Sequence, residues 1–160
     1  MPLVLDLLRH GVALPALQAG DEARRLSPRG RADLERLATH LAATGWRPDR
    51  AFASPLARAR ESAATALSGV SPAPPVEVME ALRPDTEPVA VLRALAEKSA
   101  TEGHVLLVGH QPLLGLLGGY LTGGPELGFA PGSMVRIEFR GAPASGAGVA
   151  RWHLPPGFAA

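Results

Sequence analysis

Two arginines and two histidines stand where apolar segments of the sequence end. They are Arg9 and His10 after the run LVLDLL, Arg58 shortly after RAFAS, and His110 after HVLLVG. Guanidinium groups match phosphate oxygens in charge and in hydrogen-bond geometry. A neutral imidazole among cations can act as a nucleophile, because neighbouring positive charge lowers its pKa. These side chains therefore predict a pocket that binds a phosphoryl group and can accept it on a histidine.

The elements that must position these side chains follow an alternating pattern. The first, at 3–8, is a nearly continuous Leu/Val run, typical of a central strand buried on both faces. Further strands are predicted at 50–54, 76–79, 104–109, 134–139 and 149–154, and helices at 28–44, 56–67, 89–100 and 113–121. This order predicts one α/β domain over residues 1–160, a three-layer sandwich with a mostly parallel sheet and helices on both faces. Ligands bind outside the carboxyl ends of such strands, so one crevice can hold all four side chains.

Composition argues against several classes of function. The formal net charge is +1, from 16 basic and 15 acidic residues, and only 4% of residues are aromatic, so binding to nucleic acid is not expected. The chain contains no cysteine, which excludes disulfides and thiolate metal sites and agrees with a cytoplasmic location. Asp6 and Arg9 interrupt the first apolar run before it could span a membrane, so no membrane association is expected.

Three sequence blocks resemble the motifs of a known family. LLRHG, SPLARARESA and VLLVGHQP resemble, in order, the motif blocks of the histidine phosphatase superfamily, also called phosphoglycerate mutase-like or branch 1, and LSPRG at 26–30 resembles a further block. The resemblance spans residues 3–121. It implies that His10 is the nucleophile that becomes phosphorylated and that Arg9 and Arg58 clamp the phosphate. It also implies that His110 stabilises the phosphoryl oxygens and that no metal or organic cofactor takes part.

The expected substrate is a phosphohistidine on another protein. The small size and the segment VGHQPLLGLLGGYLTGG are most similar to SixA-type phosphohistidine phosphatases, in which Asn usually stands at the position of Gln111. The predicted elements use nearly all residues between Arg58 and His110, so no insertion of the size of a lid remains. A bare pocket can admit a phosphorylated side chain. The alternatives are a small phosphomonoester substrate or a catalytically degenerate phosphate-binding module.

One position departs from the family pattern. Many relatives carry Glu or Asp directly after the first Arg-His-Gly, where this chain has Val12. The acids that could replace it follow the third predicted strand, at Glu80, Asp85 and Glu87. Glu80 is the first candidate for the catalytic acid, and a surface carboxylate is the alternative interpretation.

Other polar residues near the motifs are expected to have no catalytic role. Arg60 lies two residues after Arg58 and so points elsewhere on a helix. Ser54 is expected to cap the helix that follows Pro55. Three histidines have no motif partners and are expected to be surface or structural residues: His40, His104 and His153.

Overall fold

Residues 1–158, which a computed structural model describes, form a six-stranded sheet and four α-helices. The strands are β1 (Leu3–Arg9), β2 (Arg50–Ala53), β3 (Val76–Val78), β4 (Gly103–Gly109), β5 (Met134–Phe139) and β6 (Gly148–Leu154). The helices are α1 (Pro28–Ala43), α2 (Ala57–Ala66), α3 (Pro88–Glu97) and α4 (Leu113–Thr122). Short 3-10 helices lie at Asp21–Ala23, Leu67–Gly69 and Glu80–Leu82. Within the same residues, no helix is long and apolar enough to cross a membrane.

The order of strands in the sheet brings the predicted site residues together. The order is β3-β2-β4-β1-β5-β6; β3, β2, β4 and β1 are parallel, β5 runs antiparallel to β1, and β6 runs antiparallel to β5. The prediction of a mostly parallel sheet with β1 in its interior is thus confirmed. Arg9, the last residue of β1, pairs with Gly109, the last residue of β4. The segments carrying His10 and His110 therefore leave the sheet side by side.

Helices cover both faces of the sheet, as the alternating pattern predicts. Successive side chains of a strand point to opposite faces. Leu3, Leu5 and Leu7 of β1 belong to the core under α3 and α4, whereas Leu8 belongs to the core under α1 and α2. The leucines of β1 are fully buried on either side. The three-layer α/β architecture is therefore confirmed.

The ends of the helices explain where the predicted boundaries hold and where they shift. α1 begins where expected, because the Ser27 Oγ accepts a hydrogen bond from the Gly30 amide at 3.0 Å and Pro28 occupies the first turn. α3 ends three residues earlier than predicted. Ser99 adopts a left-handed conformation, with φ of 54°, which breaks the helix before Ala100.

A buried ion cluster lies on the α1 side of the sheet, away from the strand ends. The Asp6 carboxylate is fully buried and accepts hydrogen bonds from Arg136 at 2.8 and 2.9 Å and from the Trp46 indole at 2.6 Å. Its Oδ2 also lies 2.6 Å from His104 Nε2. Burial alone would raise the pKa of Asp6, but these partners hold it below its usual range. His104 is thus structural, as expected.

Candidate active site

A pocket of about 330 Å³ lies at the carboxyl ends of the central strands. Its walls are formed by Arg9, His10, Val12, Ala13, Arg24, Arg58, Pro84, His110, Gln111 and Pro131. All four motif residues predicted to bind phosphate therefore line one pocket. The rings of the two histidines are in contact, with centroids 4.9 Å apart.

The backbone orients the His10 ring. Nδ1 of His10 lies 2.7 Å from the carbonyl oxygen of Gly11. Because a carbonyl can only accept, Nδ1 carries the hydrogen and Nε2 keeps its lone pair. The Gly11 amide in turn donates to Ser62 Oγ at 3.0 Å, and that hydroxyl donates to the Arg58 carbonyl at 2.6 Å. The turn carrying the imidazole is thus tied to α2.

Gly11 is required by the close packing of this turn. A Cβ atom at this position would lie 2.9 Å from a methyl group of Leu34 and 3.1 Å from the Gly30 carbonyl. Both neighbours belong to α1, the helix that covers this face of the sheet. Glycine therefore lets the backbone that holds His10 pass directly against the helix.

Burial makes both imidazoles weak bases. Burial, followed by the charges of Arg58 and Arg9, lowers the pKa of His10 to about 4, against an opposing effect of the Gly11 contact. Burial lowers the pKa of His110 to about 3, followed by repulsion from His10 in its protonated form and from Arg58. Neighbouring cations are the cause that the sequence predicts, but desolvation lowers the pKa of both rings more. Both rings are neutral at neutral pH, which leaves Nε2 of His10 available as a nucleophile.

We expect His10 and His110 to remain neutral when the protein is titrated to about pH 5.5, where an ordinary histidine is mostly protonated. The reason is the desolvation of both rings. Ring nitrogen and carbon shifts followed by NMR between about pH 8 and 4.5 measure this directly. A titration midpoint of about 6.5 for the His10 ring would contradict the prediction.

The two arginines are fixed by protein oxygens at one end of each guanidinium group. Arg9 donates from Nη1 to the Phe129 carbonyl at 2.7 Å. Arg58 donates from Nη1 to the Asp21 carbonyl at 2.9 Å and from Nη2 to the Asp21 carboxylate at 3.2 Å. The Nε atoms of both arginines are buried without a hydrogen-bond partner among residues 1–158. Buried donors left unpaired are costly, and an anion with several oxygens can satisfy them.

Ser54 orients His110, rather than capping a helix as the sequence analysis predicts. The N-cap residue of α2 is Leu56, since the helix begins at Ala57. The Ser54 hydroxyl accepts from the Leu56 amide at 3.3 Å and lies 2.8 Å from His110 Nε2. Among the described residues, His110 Nε2 is the only acceptor that this hydroxyl contacts, so the hydroxyl donates its hydrogen to Nε2. The hydrogen of the ring is then on Nδ1, which is buried and has no partner in the part of the chain described.

Substitution of Arg58 by alanine is expected to lower turnover by about 10²–10³-fold, because a preorganised charge beside the phosphoryl group is lost. The matched control is Arg60→Ala. Arg60 is exposed and donates from Nε to the Pro55 carbonyl at 3.0 Å, outside the pocket. Steady-state kinetics of the two variants on one substrate test this, and equal losses would mean that Arg58 has no special role.

The loop between β1 and α1 contributes residues that the motifs do not identify. Arg24 lines the pocket, donates from Nε to the Leu14 carbonyl at 2.7 Å and pairs with Asp21 at 3.1 Å. Arg24 and Arg58 keep the pKa of Asp21 below its usual range, with the hydrogen bond from Arg24 as the largest effect. Asp21 therefore stays ionised and serves as an anchor for both arginines. Its position in the connection between β1 and α1 left no periodic or motif signal in the sequence.

The LSPRG block holds this loop against α1. The amide and the hydroxyl of Ser27 both donate to the Val12 carbonyl, at 2.9 and 3.1 Å. A Cβ atom at Gly30 would collide with the same carbonyl, so glycine allows the loop to approach the helix. Glu61 of α2 accepts hydrogen bonds from the Leu26 amide and from Arg25. These motif residues act on the site by fixing the backbone beside His10.

Glu80 does not line the pocket. Its carboxylate is paired with Arg83 at 2.6 Å, and its side chain is 71% exposed. Leu82, at the other end of the same 3-10 helix, is fully buried in the core, which turns Glu80 towards solvent. Asp85 and Glu87 are not among the lining residues either. Among residues 1–158, the pocket walls thus carry no carboxylate that could replace the acid absent at Val12.

Within residues 1–158, no three His, Asp or Glu side chains are grouped so that they could hold a metal ion. The cations of the pocket are supplied by Arg9, Arg24 and Arg58. Their guanidinium groups match phosphoryl oxygens in charge and in hydrogen-bond geometry.

Several solved structures share this fold. The protein histidine phosphatase SixA complexed with tungstate is 24% identical, with a TM-score of 0.84 over 96% of this chain and 97% of that one. A mycobacterial glucosyl-3-phosphoglycerate phosphatase is 19% identical, with a TM-score of 0.69 over 88% and 92%. Phosphoserine phosphatase from Entamoeba histolytica, in complex with 3-phosphoglyceric acid, is 13% identical, with a TM-score of 0.69 over 97% and 98%. No curated protein sequence matches the chain.

A family profile also matches the sequence itself. The profile of the histidine phosphatase superfamily (branch 1) aligns with residues 5–84, which is half of the chain. The aligned part includes the LLRHG, LSPRG and SPLARARESA blocks. The chain therefore belongs to the histidine phosphatase superfamily, branch 1.

Proposed function

We propose that this protein is a metal-independent phosphatase that removes phosphoryl groups from histidines of other proteins through a covalent phosphohistidine at His10. One observation carries the proposal. A neutral imidazole with a free Nε2 lies in a pocket that Arg9, Arg58 and His110 also line, and each of these three has a buried nitrogen without a partner among residues 1–158, namely Arg9 Nε, Arg58 Nε and His110 Nδ1. Such a set can bind phosphoryl oxygens and offer a nucleophile to the phosphorus atom.

In the first step, Nε2 of His10 attacks the phosphorus atom and the bond to the substrate breaks. The electron pair of that bond leaves with the substrate nitrogen. If the other nitrogen of the substrate ring carries a proton, the product is a neutral imidazole and needs no further proton. The arginines and His110 stabilise the charge on the transferring oxygens, since their donors are preorganised in a buried pocket.

In the second step, water attacks the phosphorus atom of phosphorylated His10. The P–N bond breaks, and its electron pair returns to Nε2. Because Nδ1 keeps its hydrogen against the Gly11 carbonyl, His10 departs as a neutral imidazole, and both hydrogens of the water remain on the phosphate product. Both steps thus expel the same kind of leaving group. Neither requires the carboxylic acid that the pocket walls lack.

The surroundings of the pocket support a macromolecular substrate. Between Arg58 and His110 the chain forms α2, β3, α3 and β4, two short 3-10 helices and their connections, and between these two residues only Pro84 lines the pocket, so no inserted segment of the size of a lid covers the site. His10 is only 9% exposed, which places the nucleophile at the bottom of the pocket. A projecting phosphorylated side chain can reach it. The fold shared with the protein histidine phosphatase SixA is consistent with this substrate class.

A substrate panel tests the proposal. The purified protein is offered a histidine-phosphorylated carrier protein, free phosphohistidine, and alkyl phosphomonoesters such as phosphoserine and 3-phosphoglycerate. We expect kcat/KM to be highest for the phosphoprotein. A preference for an alkyl phosphomonoester would replace this proposal with a small-molecule phosphatase, and binding of phosphate without turnover of any substrate would indicate a degenerate phosphate-binding module.

A further inference from the structure

The loop between β1 and α1 has an exposed tip, residues 14–20, with the sequence LPALQAG. All seven residues are exposed, and none is charged. Leu17 is 80% exposed and Leu14 is 43% exposed. Contiguous exposed apolar residues on a protein surface commonly mark a site of interaction with a partner.

The tip has a defined structure. The Gly20 amide donates to the Leu17 carbonyl at 2.9 Å, which closes a tight turn. At the base, the Leu14 amide donates to the Arg25 carbonyl at 2.8 Å, and Ala13 pairs with Leu26 across the loop. These bonds hold the backbone, so the exposed leucines are presented on an ordered turn.

The tip is continuous with the wall of the active-site pocket. Val12 and Ala13 line the pocket on the chain entering the tip, and Arg24 lines it on the chain leaving the tip. The side chain of Arg24 also donates to the Leu14 carbonyl, and so joins the pocket wall to the base of the tip. The tip is therefore the nearest exposed surface along the chain for a molecule that covers the pocket on this side.

The depth of the site favours contact of a protein substrate with the tip. His10, Arg58 and His110 are 9%, 5% and 2% exposed. A phosphorylated side chain must enter the pocket to reach His10, which brings the surface around that side chain down onto the rim. The cationic pocket attracts the phosphoryl dianion, while the uncharged tip offers apolar area to the protein that carries it.

We infer that Leu14 and Leu17 form a docking surface for the phosphorylated protein. This surface recognises the part of the protein around the phosphorylated residue, whereas the pocket recognises the phosphoryl group. This inference rests on the proposed function, because it presupposes a protein substrate. Burial of a leucine side chain at an interface is strongly favourable. The docking surface thus distinguishes a phosphoprotein from a small molecule with the same phosphorylated group.

The test compares two substrates with the same leaving group, a histidine-phosphorylated carrier protein and free phosphohistidine. In the double variant Leu14→Ser/Leu17→Ser, we expect kcat/KM on the phosphoprotein to fall about tenfold or more, mainly through KM. On free phosphohistidine we expect a change of less than about twofold, because neither side chain lines the pocket. The matched control is Val89→Ser/Val149→Ser, which removes exposed valines of α3 and β6 and is expected to alter neither activity.

Each other outcome overturns the inference in a different way. Unchanged activity of the double variant on the phosphoprotein would show that the tip makes no productive contact, with the proposed function intact. Equal losses on both substrates would show that the tip acts on the pocket itself. A native dimer that dissociates in the variant, measured by sedimentation, would assign the tip to a second copy of this chain. If the native protein cleaves free phosphohistidine but no phosphoprotein, the proposed function fails and the inference fails with it.

Discussion

The variant His10→Ala is expected to form no phosphoenzyme and to lose about 10⁴-fold or more of its turnover. In the native protein, rapid quenching during turnover should trap phosphate in an acid-labile, base-stable form, as expected for a P–N bond. The physical reason is that no other side chain in the pocket can replace His10 as a nucleophile. The hydrogen of His110 is on Nδ1, and its Nε2 accepts from Ser54.

Two controls make this result specific. His153→Ala removes an exposed histidine that does not line the pocket and should leave both labelling and turnover unchanged. Binding of vanadate, followed by quenching of intrinsic fluorescence or by calorimetry, should survive in His10→Ala, because both arginines remain. Labelling that persists in His10→Ala would move the covalent intermediate to another residue.

Patterns of short range were enough to predict the architecture and the core of the site. The apolar runs that become β1 and β4 end at Arg9 and Gly109, and these two residues pair in the sheet. Since parallel strands end at the same edge, the histidine that follows each strand has to lie in the same crevice. Ser27 and Pro28 predict the start of α1 equally well, because a cap is a local interaction.

Contacts made across long stretches of chain could not be predicted in this way. Asp21 holds Arg58 from a position 37 residues away, in a loop without periodicity. Ser54 contacts His110 across 56 residues, although its position before Pro55 is also typical of a helix cap. Glu80 carries a carboxyl group, as a catalytic acid requires, and it follows β3 closely in the sequence. The direction of the Glu80 side chain depends on the burial of Leu82 in the core. The sequence pattern did not predict which face of this short helix is buried.

The identity of the leaving group should control the rate, because the pocket contains no acid to protonate it. An alkoxide that leaves from a sugar phosphate or phosphoserine is about as basic as hydroxide, the conjugate base of water with a pKa of about 15.7, and needs a proton from a positioned acid. An imidazole that leaves from ring-protonated phosphohistidine departs neutral, and its conjugate acid has a pKa of about 6.5. General acid catalysis commonly contributes about 10²–10⁴-fold, so alkyl phosphates should be cleaved less efficiently by roughly that factor.

We expect log kcat/KM to fall steeply as the leaving-group pKa rises across a series of aryl and alkyl phosphates. In Val12→Glu the slope should flatten, because Val12 lines the pocket and its backbone is held by Ser27, so a carboxylic acid there would face the substrate. Val12→Gln is the matched control, since it has nearly the same shape but cannot donate a proton as an acid, and it should keep the native slope. If kcat/KM of the native protein does not depend on the leaving-group pKa, two explanations must be separated. Either hydrolysis of phosphorylated His10 is slow, or an acid outside the pocket walls protonates the leaving group. Single-turnover phosphorylation of His10 isolates the first step, and a flat dependence that persists there would show that the leaving group is protonated despite Val12.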